Sequence, residues 1–158
     1  MKKLWIVIIV LMLIASQVSA ATITKLGNKS VACIPIGDYS AAIGTGTKWY
    51  SAFEVPYTHT LNKIILTTNE VVGSMTIDVW VDAAGATTGL AALTDADSLF
   101  DTATEPAIAD ASADKYFEIT SFDANEAAGA AGGWYVINVD AASTITGATV
   151  CFEFTRVD

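Results

Sequence analysis

The sequence has little of what catalysis and metal binding usually draw on. It holds one histidine, His59, and two cysteines, Cys33 and Cys151. No Gly-x-Ser-x-Gly elbow is present to build a nucleophile triad around that histidine. No cluster of Cys and His has zinc-ligand spacing. No glycine-rich loop runs into a lysine to cradle phosphate. His59 sits in Tyr57-Thr-His-Thr60 and reads as an exposed turn residue. Acidic pairs such as Asp78 with Glu153, or Asp97 with Glu105, could flank a groove as in glycosidases. Nothing in the order of residues fixes their separation, and the chain is read as non-enzymatic.

Basic residues are also scarce, 8 Lys and Arg against 17 Asp and Glu. Two of the eight, Lys2 and Lys3, precede an apolar run of 12 residues, Leu4 to Ala15, followed by Ser16-Gln17-Val18-Ser19-Ala20. That is the order of a signal peptide, with the cut expected between Ala20 and Ala21. The run is shorter than the roughly 20 residues a spanning helix needs. Residues 1–20 are therefore expected to form a signal helix, with an uncleaved signal anchor as the alternative, and 21–158 one domain. The mature part, 158 less 20 or 138 residues, carries six basic groups against 17 acidic ones. So strong a negative charge repels nucleic-acid phosphates and anionic lipid, so neither nucleic acid nor, after cleavage, membrane is an expected partner. The expected location is secreted or at the cell surface, with the periplasm as the alternative.

In an exported chain two cysteines are read as one disulfide, Cys33 to Cys151. Closing so long a loop stabilises a fold by about 4 to 5 kcal/mol in the chain-entropy picture.

What the sequence does have is two-residue periodicity. Val31 to Ile36 reads as a short strand, placed at an edge by Pro35. Lys48 to Val55 and Leu61 to Thr68 follow. In Ser74 to Asp82 the residues Met75, Ile77, Val79 and Val81 point one way, and Thr76, Asp78, Trp80 and Asp82 the other. One apolar and one polar face suit an antiparallel sheet with a wet side. The segment 83–114 is too long for a hairpin loop; a helical turn near Thr94 to Phe100, with Thr94 as N-cap, would break it. Lys115 to Phe122, Trp134 to Asp140 and Thr149 to Val157 complete the set. In the last, Val150, Phe152 and Phe154 face the core, which puts Cys151 outside it. The expected fold is all-β, a jelly-roll-like antiparallel β-sandwich preceded by the signal helix.

A set of short motifs runs through the second half in order: Gly73-Ser-Met-Thr-Ile-Asp-Val-Trp80, Ala96-Asp-Ser-Leu99, Pro106, Asn138-Val-Asp140 and Ser143-Thr-Ile-Thr146. Together they resemble a domain carried on bacteriophage virion proteins, on tail fibres and on head or tail accessory proteins. The match covers about half of the mature chain, a domain-sized stretch. Gly132-Gly133 stands where that family has Gly-Asp before the Asn-Val-Asp strand, and a signal peptide is unusual in a virion part. The resemblance implies a small β-sandwich serving in structure or display, virion-associated or reused in an exported protein. Independently, an acidic, Ala- and Thr-rich sandwich with flat faces is expected to assemble with copies of itself through edge strands or faces.

Two binding readings accompany it. Trp80 lies between Asp78 and Asp82 on the polar face, an arrangement that could stack a sugar ring and accept its hydroxyl protons; a surface glycan is the partner that follows. The competing account has Trp80 packed under the 83–114 segment. Asp95, Asp97 and Asp101 cluster in one loop and offer hard oxygens to Ca²⁺. Phe100 and Pro106 stand where an EF-hand needs Gly and Glu, and the competing account has Asp97 and Ser98 bonding the local backbone. No other cofactor is expected.

Overall fold

The computed structural model describes residues 22–68, 70, 72–82, 93–100, 105–109, 115–122 and 128–157. Residues 1–21 (which hold the expected signal segment), Asp101 and much of the 83–114 segment lie outside them. Within them the chain is built of strands: β1 (Thr22–Leu26), β2 (Lys29–Gly37), β3 (Gly46–Val55), β4 (His59–Thr67), β5 (Ser74–Asp82), β6 (Ala107–Ile108), β7 (Tyr116–Ile119), β8 (Ala128–Gly129), β9 (Gly133–Ser143) and β10 (Gly147–Arg156).

The strands form two antiparallel sheets. The first has the order β1-β2-β10-β4-β7, with β8 also paired to β4; the second has the order β3-β9-β5-β6. Setting β1 and β8 aside, β2, β10, β4 and β7 belong to one sheet and β3, β9, β5 and β6 to the other. That is the eight-stranded wrapping of a jelly roll. The expected fold class is therefore what the chain adopts.

The alternation read along the sequence is the alternation of the core. Ile34 and Ile36 of β2, Phe53 and Val55 of β3, Met75, Ile77 and Val79 of β5, and Val150, Phe152 and Phe154 of β10 are all buried. Their rings and methyls meet between the sheets, with Phe53 stacked on Tyr135 at 5.6 Å and tilted against Phe152 at 5.0 Å. A fully buried aromatic of this kind contributes about 1.5 to 3 kcal/mol in apolar area alone.

Two expectations need correcting. Pro35 does not mark an edge strand, because β2 lies between β1 and β10. β1 pairs with β2 only as far as Cys33, so the missing N–H of Pro35 falls beyond the end of that ladder. His59 is not exposed. It is 1% accessible and opens β4 with its ring inside the core. Its Nδ1 lies 2.8 Å from the Tyr57 carbonyl and its Nε2 2.6 Å from the Tyr135 hydroxyl. Phe154 meets the ring edge-on at 5.0 Å. β4 departs from strict alternation here: Leu61 faces Phe154 and Lys63 faces Glu153, leaving Asn62 as the extra residue of a bulge. The bulge lets His59 and Leu61 share the inner face with Ile64 and Leu66. Gly129 of β8 makes room for the ring, since a Cβ there would stand 2.2 Å from His59 Nε2.

Candidate functional site

The disulfide is formed between Cys33 and Cys151, with S–S 2.05 Å. The two residues are direct register partners on β2 and β10. Both point away from the core, on the outer face of the first sheet, and both are partly exposed. Val31, Pro35, Thr149 and Glu153 around them are also partly exposed, and Glu153 is paired with Lys29 Nζ at 2.8 Å. This is the wet side of the sandwich.

The outer face of the second sheet is different. Asp78 is 0% accessible, Asp82 8%, and Val136 on the adjoining strand 0%. That face is covered at its centre, so the polar face of β5 is not the solvent-facing side that its alternation suggested. Trp80 is half-buried, and its indole Nε1 donates to Asp78 Oδ2 at 2.6 Å. The other oxygen of Asp78 accepts from Val79 N and from Ser98 Oγ, each at 2.6 Å. An exposed indole between two open carboxylates is not the arrangement present: Asp78 is engaged on both oxygens and sealed from water.

Asp78 instead anchors a cluster of acids. On one side β5 pairs with β9, which sets Asp78 opposite Asn138. Asn138 Nδ2 donates to Asp140 Oδ1 at 2.6 Å, and Asn138 Oδ1 accepts from Thr47 at 3.1 Å. On the other side Ser98 and Leu99, and then Pro106 to Ile108, lie against β5. Trp80 bridges to Ser98, Leu99 N donates to Val79 O at 2.9 Å, and Ile77 N donates to Pro106 O at 3.0 Å. That contact places Glu105 beside the strand. One carboxylate oxygen each of Asp78, Glu105 and Asp140 then lies within 4.8 Å of the others.

The electrostatics follow from this crowding. Burial, then the charges of Asp140, Asp78 and Asp95, pushes the Glu105 carboxyl up from 4.5 to about 7. Asp140 is raised by burial and by Asp78. Asp78 is raised by burial, against the Ser98 and Trp80 hydrogen bonds that favour its ionised form. Glu105 can therefore hold a proton near neutral pH beside the two aspartates, and the spacing of the trio is one a hard divalent cation such as Ca²⁺ can bridge. Asp78, Glu105 and Asp140 are the residues that could hold one.

The other acids named from sequence are placed elsewhere. Asp97 accepts from Thr94 N at 2.8 Å and Thr94 Oγ1 at 3.3 Å, while Thr94 caps the 3-10 turn Asp95–Asp97 as expected. Asp97 is thus engaged with the backbone, the competing account for that loop. Asp95 is exposed and contributes only its charge to the trio. Glu153 lies on the outer face of the opposite sheet from Asp78, so that pair is not brought together.

Sequence reading missed Asp140 and the partnership of Glu105 with Asp78. The signal available was that Asn138-x-Asp140 alternates as Asp78-x-Trp80 does, so each offers two polar residues to one face of a strand. No protein-family model matches the chain, and no curated protein is significantly similar to it.

Proposed function

We propose that the chain is an exported, non-enzymatic structural or surface-display module, of the kind carried as fibre or decoration domains on phage virions. The observation that supports this best is the position of the disulfide. Cys33 and Cys151 sit on the water-facing side of the first sheet rather than in the core, where a reducing cytosol has access to them. A bridge there serves a protein that works outside the cell. It closes a loop spanning a sequence separation of 118, from near the start of the mature chain to near its end. The sole histidine, held in the core by Tyr57 and Tyr135, has no part in surface chemistry on this reading. The motif resemblance from Gly73 to Thr146 supports the same role, and the module assembles with copies of itself. Native mass spectrometry and negative-stain imaging of the mature protein test it. Ordered oligomers are expected; a strict monomer at all concentrations contradicts the assembly role.

A further inference from the structure

We propose that a groove at one end of the sandwich, between the loop after β2 and the start of β3, binds the pyranose ring of a saccharide, with Tyr50 as the stacking platform. This rests on neither the display reading nor the acidic trio. The groove has a volume of about 360 Å³. Its lining combines the small apolar residues Ala41, Ala42 and Ile43 with Tyr50, Lys48 and Asp38. Ligand sites run from about 300 to 1,000 Å³ and combine an apolar lining with a few placed polar groups, so this one fits a single ring.

Tyr50 is 52% accessible, unusually open for an aromatic residue. Its hydroxyl accepts from Gly37 N at 3.4 Å, which ties the side chain to the end of β2 beside the groove. An aromatic face open to water beside hydrogen-bonding groups suits a ligand with one C–H face and a rim of hydroxyls. Lys48 Nζ donates to Gly44 O at 2.5 Å and Thr45 O at 3.3 Å, which fixes the ammonium at the rim. Asp38 Oδ1 accepts from Ser40 N at 2.9 Å and Ala41 N at 3.2 Å. The rim thus offers a donor and an acceptor, as a polyol requires. The strong negative charge of the chain argues against an anionic ligand.

The loop is also held ready. Tyr39 N donates to Thr146 O at 3.0 Å and Ile43 N to Ile145 O at 2.8 Å, pinning the loop to the turn before β10. Ile43 is only 7% accessible. Gly37 has φ +85°, and a Cβ there would stand 2.2 Å from Thr146 O, so only glycine lets the loop approach that turn. Tyr39 takes φ 60°, a costly conformation for a side-chain-bearing residue. A loop fixed in this way loses little entropy on binding.

The test is titration of the full exported chain with the methyl glycosides of glucose, galactose, mannose and N-acetylglucosamine, followed by amide chemical shifts. At least one sugar should bind and move signals confined to residues 37–50. Tyr50→Ala should weaken that binding at least about tenfold, and Asp38→Asn should weaken it as well. Tyr116→Ala, at a 49% accessible tyrosine on the outer face of the first sheet, should leave it unchanged. Shift mapping on the unmodified chain needs no variant to fold. Absence of binding by all four sugars, shifts that map elsewhere, or binding that survives Tyr50→Ala overturns the proposal.

Discussion

Glu105→Gln should make the protein more stable at neutral and alkaline pH, although it removes a native carboxylate. Glu105 lies beside Asp78 and Asp140, with Asp95 near, and its carboxyl is raised from 4.5 to about 7. The folded state therefore keeps a proton that the unfolded chain has released between those two values. Stability contributed by this site is complete below pH 4.5 and falls as pH rises towards about 7. Fully converted, the shift corresponds to roughly 3 kcal/mol. Glu105 is only partly buried, and solvent screening reduces the expected figure to about 1 to 2 kcal/mol. Glutamine keeps the shape and hydrogen-bonding capacity and removes the charge. Urea unfolding of both proteins at about pH 4 and about pH 8 reads the effect. Near pH 4 the two should be equal; near pH 8 the variant should lead by that margin. A variant less stable at pH 8, or a gap independent of pH, refutes the crowding argument.

Replacing both cysteines by serine should cost about 4 to 5 kcal/mol, the upper end for a loop this long, read as a lower urea midpoint. His59→Ala should cost about 2 to 4 kcal/mol by opening a core cavity and stranding the Tyr135 hydroxyl, read by thermal unfolding. Burial lowers the His59 pKa below 6.5, so the wild-type core should lose stability as pH falls through 6.5, and His59→Ala should abolish that limb. Ser98→Ala removes a donor from a fully buried carboxylate and should cost about 1 to 3 kcal/mol, with weakened protection of the Leu99 amide in hydrogen exchange.

Local pattern carried most of the architecture. The bounds and inner face of β5, the core positions of β10 and the Thr94 cap are legible because each depends on near neighbours. The disulfide was legible from compartment and count. Strand β1 was missed because Thr22 to Leu26 is short and directly follows the segment read as a leader, with only the Gly27-Asn28 turn to announce it. Strands β6 and β8 have two residues each, too few for periodicity to register. His59 was misread because a polar tetrapeptide resembles a turn, while the bulge that turns it inward depends on the pairing of β4 with β10. The acidic trio was invisible for the same reason. Asp78 and Asp140 meet through the β5–β9 register, and Glu105 joins them through a chain segment laid along the other side of β5. Long-range register is not written in any local window.

The most direct check on the account is the intact mass of the unreduced protein recovered after export. The account predicts residues Ala21 to Asp158 with two hydrogens missing, which reports leader removal and the Cys33–Cys151 bond in one reading. A mass that retains Met1, or one that shows both thiols intact, contradicts it.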